Sequence, residues 1–101
     1  MFGFRKTNPD ITKLLEATER AQGLIEELYK TNPLDPTFDQ VGILDGRKNI
    51  TEYLEHNEWG VAFEHLLYMI HESGIAFPEN ELQELHSIAK LNGLHIRYEE
   101  S

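Results

Sequence analysis

Histidine and glutamate side chains, which are common metal ligands, concentrate in the second half of the chain. The sequence has five histidines and no cysteine, and Glu64, His65, His71 and Glu72 lie close together. A helical dinuclear site needs Glu-x-x-His pairs on facing helices, and this spacing does not occur in the chain. A His-Glu-x-x-His zinc motif is also missing, because Ile75 stands where the second histidine would be. We therefore expect no metal site. A metal- or small-molecule-binding helical protein that uses His65 and His71 remains a minor alternative.

Side chains for nucleophilic or acid–base catalysis are sparse. Ser87 directly follows His86, and on a helix this spacing turns the two side chains about 100° apart. The glycines are scattered and form no phosphate-binding loop. Glu52 and Glu55 could act as acid and base only in a dry cleft, which such a polar helix does not suggest. We expect no catalytic residues and no cofactor.

The charge of the chain is strongly negative and unevenly distributed. Nine Lys and Arg against 18 Asp and Glu give a net charge of −9, which argues against nucleic acid and favours a basic partner. No Lys or Arg occurs from Asn49 to Ala89. Uncompensated charge on half of a small domain costs stability, so binding is favoured over solubility alone. The same stretch contains the glutamates Glu52, Glu55, Glu58, Glu64, Glu72, Glu79, Glu81 and Glu84.

Helices position these residues, and the first helix has the clearest signals. Asn8 can cap it, Pro9 suits the first helical position, and Asp10 suits the positive end of the helix dipole. The pair Asn32-Pro33 predicts its end. Gly23 lowers the stability of the helix by about 1 kcal/mol relative to Ala. Its presence indicates either a close contact with another helix or a tolerated defect. The residues at inward helical spacing are Ile11, Leu14, Leu15, Thr18, Ala21, Ile25 and Leu28.

The segment 33–47 is predicted to be a connection, because it contains two prolines and two glycines. It is too apolar for a free loop, so we expect a short helical turn lying on the core. A capping box of Asn49 and Glu52 predicts the start of a short helix, and Asn57 predicts a break. The apolar residues of the connection are Phe38, Val41, Ile43 and Leu44.

The helix from Glu58 to Ser73 is the most apolar and should be central, ending at Gly74. Asn57 and Glu58 are expected to cap it, and Gly60 to allow close packing. Pro78 predicts the start of a last helix, which Gly93 ends, and the tail 94–101 is extended or frayed. The chain is thus predicted to be all-α, one domain over residues 1–101, with four to five helices in a bundle.

A polar arc on the central helix is the candidate binding surface. Val61 lies on this arc beside acidic residues, and Tyr68 resembles the aromatic residues found at interface hot spots. Alternatively, Tyr68 packs under the short helix or the Phe38 loop. The candidate partner-binding residues are Glu52, Glu55, Glu64, Tyr68, His71 and Glu72.

The run from Tyr53 to Ile70 resembles the MafI-type immunity proteins, a family related to the immunity proteins of bacterial contact-dependent inhibition systems. The resemblance covers about residues 50–91. The segment Ile75-Ala76-Phe77-Pro78 fits the link that the family makes into its last helix. The residues that match its recurring motif are His56, Asn57, Glu58, Trp59, Gly60, Ala62, Phe63, Glu64 and Leu66.

The resemblance implies a cytoplasmic, stoichiometric inhibitor that binds a cognate toxin domain, often a nuclease, and performs no catalysis. A basic nuclease cleft fits the acidic charge of this chain, and we expect variable acidic positions, rather than the motif as such, to make the contacts. The alternative is an acidic adaptor or regulatory module for another basic protein. No stretch approaches the roughly 20 apolar residues of a membrane span, so we expect no membrane partner and a cytoplasmic location.

Overall fold

The computed structural model describes residues 9–94 and confirms an all-α fold, with no strand in that range. The predicted cap Asn8 and the tail 95–101 lie outside the described residues. One short 3-10 helix, Pro36–Asp39, lies between the first two α-helices. The α-helices are α1 (Pro9–Thr31), α2 (Gly46–Glu55), α3 (Trp59–Ser73) and α4 (Glu79–Leu91).

Helix α3 is the centre of the bundle, as its composition predicts. It packs against α1, α2 and the 3-10 helix. Burial of a large apolar side chain contributes about 1.5–3 kcal/mol, so α3 supplies a large share of the stabilising free energy. Its buried residues are Ala62, Phe63, Leu66, Leu67, Met69, Ile70 and Ser73.

Helix α1 has the predicted bounds, but two details differ from expectation. Leu15 was expected to face inward and is 43% exposed, because it lies at the edge of the apolar stripe. A Cβ atom added at Gly23 would have no neighbour within 4 Å, so no close helix contact explains this glycine. Gly23 is therefore a tolerated defect in the helix.

The N-terminus of α2 is capped from a different helix, and the predicted capping box is wrong. Asn49 lies inside α2, which begins at Gly46, and the side chain of Asp45 makes no capping hydrogen bond. Instead, the buried Gln22 of α1 accepts a hydrogen bond from the Arg47 N–H at 2.9 Å. Its Nε2 donates to the Leu44 carbonyl at 2.8 Å. One amide thus joins α1 to the first turn of α2.

Three positions fix the ends of α3. Asn57 has a left-handed φ of 61° and breaks the chain as predicted, but Glu58 makes no side-chain capping bond, so that role is wrong. Gly74 ends the helix with a φ of 72°, as predicted. Gly60 does permit close packing, since a Cβ there would lie 3.0 Å from Leu94 Cδ2.

Two ion pairs connect α4 to α1. Pro78 precedes the helix in the N-cap position. Arg20 Nε lies 2.8 Å from Glu81 Oε1, and Lys13 Nζ lies 3.1 Å from Glu84 Oε2. The hydrogen bond to Glu84 raises the pKa of Lys13.

Within residues 9–94, no helix is both long and apolar enough to cross a membrane.

Candidate protein-binding surface

Two side chains of α3 hold the connection between α1 and α2 in place. His65 Nε2 lies 3.0 Å from the Gly42 carbonyl, and the Tyr68 hydroxyl donates to the Val41 carbonyl at 2.8 Å. Gly42 has a φ of +82°, and a Cβ there would lie 2.5 Å from His65 Cε1. Only glycine meets both conditions without strain. Both contacts are made to backbone carbonyls, so they fix the path of the loop without involving the side chain of Val41.

His65 is the middle member of an aromatic row. Its ring centroid lies 5.9 Å from that of Tyr53 and 5.4 Å from that of Tyr68. Burial lowers the pKa of His65, and the Gly42 carbonyl and Asp45 only partly oppose this effect. The ring is therefore neutral at pH 7. Because a carbonyl only accepts hydrogen bonds, Nε2 carries the proton.

Two exposed valines border this row. Val41 is 87% exposed and Val61 is 45% exposed, although the sequence placed Val41 on the core. That prediction is wrong because Phe38 and Ile43 fill the core beneath the loop. A shallow groove of about 280 Å³ lies between the loop and α3. We call it the loop–α3 groove, and its lining is Val41, Tyr53, Val61, Glu64, His65 and Tyr68.

The predicted binding residues occupy separate parts of this surface. Glu64 and Tyr68 line the loop–α3 groove. Glu52 and Glu55 instead line a groove of about 420 Å³ that residues of α1 and α2 form with the loop end at Leu44 and Asp45. The structure therefore does not bring all the predicted acidic residues into one site.

The other two predicted residues lie further along α3. The His71 ring centroid lies 6.0 Å from that of His86 on α4, and His86 is buried. Glu72 is exposed near the end of α3. Thus His71 belongs to the contact between α3 and α4 and is half-buried, whereas Glu72 stays on the surface.

For Tyr68, the structure favours the packing alternative. The ring is half-buried and its hydroxyl binds the loop backbone. Sequence reasoning missed Val41 and Tyr53 as lining residues and Gln22 as a cap. The sequence contains no clear signal that separates Val41 from its buried apolar neighbours, and the roles of Tyr53 and Gln22 depend on contacts distant in sequence.

The ion pairs in the described part of the chain lie mainly around α1. Besides the pairs to α4, Arg47 binds Glu19 at 2.9 Å. Pairs within one helix are Lys48–Glu52 at 3.4 Å and Lys30–Glu27 at 3.2 Å. Because residues 49–89 contain no Lys or Arg, α3 carries the acids Glu64 and Glu72 and no Lys or Arg.

Neither a metal site nor a known family is indicated for the described part of the chain. Residues 9–94 contain no group of three or more His, Asp or Glu placed to hold a metal ion. In comparisons with known proteins, no family model, curated protein or solved structure matches the chain significantly. The resemblance to immunity proteins therefore stays a prediction.

Proposed function

We propose that this chain is an immunity protein that binds a basic bacterial toxin domain one-to-one and blocks it. The observation that carries the proposal is the separation of charge on the folded molecule. The basic residues Lys13, Arg20 and Arg47 form ion pairs with acids around α1, while α3 contains Glu64 and Glu72 and no Lys or Arg. Such a surface attracts a basic protein and speeds encounter with it.

The groups that line the loop–α3 groove suit binding to a protein. Val41 and Val61 are apolar, Tyr53 and Tyr68 are aromatic, and Glu64 supplies an acid in the same groove. Interface centres combine aromatic and apolar groups in this way, with charges beside them. A nuclease is the favoured toxin class, since a cleft that grips phosphates is basic and an acidic protein can occupy it. The proposal places the complex in the cytoplasm of the producing cell.

The test is co-expression with the C-terminal toxin domain encoded directly upstream of this chain's gene. We expect a stable one-to-one complex on size exclusion, restored growth, and affinity that falls steeply as NaCl rises from 50 to 500 mM. Salt sensitivity is expected because screening at about 0.5 M shortens the Debye length to a few ångströms. A neighbouring toxin that neither binds nor is neutralised would contradict the proposal and favour an adaptor for another basic protein.

A further inference from the structure

We infer that the loop–α3 groove is the place where an arginine side chain of a basic protein partner docks. The inference deepens the proposed function and rests on it only in taking the partner to be a basic protein. The juxtaposition that carries it is a carboxylate, Glu64, in one groove with Tyr53 and Tyr68 and two exposed valines.

Each part of the groove matches one part of an arginine. The guanidinium is planar, pairs with a carboxylate through two N–H groups, and stacks on aromatic rings. A tyrosine ring attracts a cation within about 6 Å of its centroid. The methylene stem of an arginine packs along apolar surface, which Val41 and Val61 provide.

The charge of the groove also favours a cation. Among the described residues, its lining contains one acid and no Lys or Arg. His65, which stands between the two tyrosines, has a pKa lowered by burial and adds no positive charge at pH 7. The groove that contains Glu52 and Glu55 is also acidic, with four acids against Arg47 and Lys48, but its lining has no aromatic ring on which a guanidinium could stack. The loop–α3 groove is therefore the better arginine site.

The probe is a five-residue peptide, blocked at both ends, with one arginine between two leucines. Matched peptides replace the arginine with lysine or with neutral citrulline, and all are titrated into the full ¹⁵N-labelled chain at pH 7. With the arginine peptide we expect amide shifts at Val41, Val61, Glu64 and Tyr68 and a Kd on the order of a millimolar. Binding of the lysine peptide should be at least threefold weaker, because an ammonium cannot stack.

Paired variants separate a local effect from a change in net charge. Glu64→Gln should reduce the peptide's affinity at least threefold, whereas Glu16→Gln removes the same charge from exposed α1 and should leave it unchanged. Val41→Lys should abolish the shifts. Leu34→Lys is the matched control, since Leu34 is 93% exposed on the same connection. These positions are exposed or half-buried, so the variants are expected to fold.

Two outcomes would overturn the inference. One is equal shifts with the citrulline peptide, which would show apolar contact without a charge. The other is shifts centred on Glu26, Glu52 and Glu55, which would place the cation in the other groove. No toxin takes part in this titration, so a failed co-purification would reject the immunity function and leave the arginine site standing.

Discussion

At the scale of single residues, the buried amide of Gln22 connects α1 to the start of α2 through two hydrogen bonds. Its oxygen accepts from the Arg47 N–H, and its nitrogen donates to the Leu44 carbonyl. This bond replaces the local cap that α2 lacks. The side chain is 1% exposed.

Gln22→Leu should lower the free energy of unfolding by about 1–3 kcal/mol, because the part-buried Arg47 N–H and Leu44 carbonyl lose these hydrogen bonds. Urea unfolding followed by circular dichroism measures this loss. Gln83→Leu is the matched control, since Gln83 is exposed on α4 and its side chain bonds the exposed Glu79, so it should change stability by less than about 0.5 kcal/mol. Equal losses of stability for the two substitutions would contradict the capping role of Gln22.

His65 makes stability depend on pH. Burial lowers its pKa in the folded chain below the value of about 6.5 in the unfolded chain, so the unfolded chain binds the proton more tightly. The stabilisation is therefore full above pH 6.5 and is lost as the pH falls through the folded pKa. We expect the urea midpoint to drop between pH 7.5 and 5.5, and His65→Gln to flatten that drop. His56→Gln, at an exposed histidine, should retain it.

At the scale of helices and loops, two glycines should respond in opposite directions to the same substitution. Gly23→Ala should raise the free energy of unfolding by about 0.5–1 kcal/mol, because the site is helical and a Cβ there meets nothing. Gly42→Ala should lower it by about 1–3 kcal/mol, because its φ is +82° and the Cβ would press on His65. Thermal unfolding of both variants checks the signs, and stabilisation by Gly42→Ala would contradict the described loop path.

Helix existence and the central place of α3 could be predicted from the sequence, because apolar spacing and the breaks at Asn57 and Gly74 are local signals. The start of α2 could not, because its cap comes from Gln22 on another helix. The same holds for the candidate surface. Glu64 and Tyr68 were found from a helical wheel, but their grouping with Val41 follows from hydrogen bonds between segments distant in sequence.

At the scale of the whole molecule, the excess of acidic residues sets the response to salt. The net charge is −9, and the ion pairs of the described residues are exposed, so each contributes at most about 1 kcal/mol. Repulsion among the remaining acids should outweigh these pairs. We therefore expect the melting temperature to rise by a few degrees as NaCl increases from 10 to 200 mM. A falling melting temperature would show that the attractive pairs dominate.

The hydrogen bonds that hold the loop have a consequence for how this protein can diverge. They reach only the carbonyls of Val41 and Gly42, and the side chain of Val41 is 87% exposed. The loop is therefore held through the backbone at position 41, and the side chain there contributes little to the stability of the fold. Related chains could exchange valine for a bulky, polar or charged residue at a cost within about 0.5 kcal/mol. Position 41 is thus a place where recognition can be retuned while the scaffold stays constant.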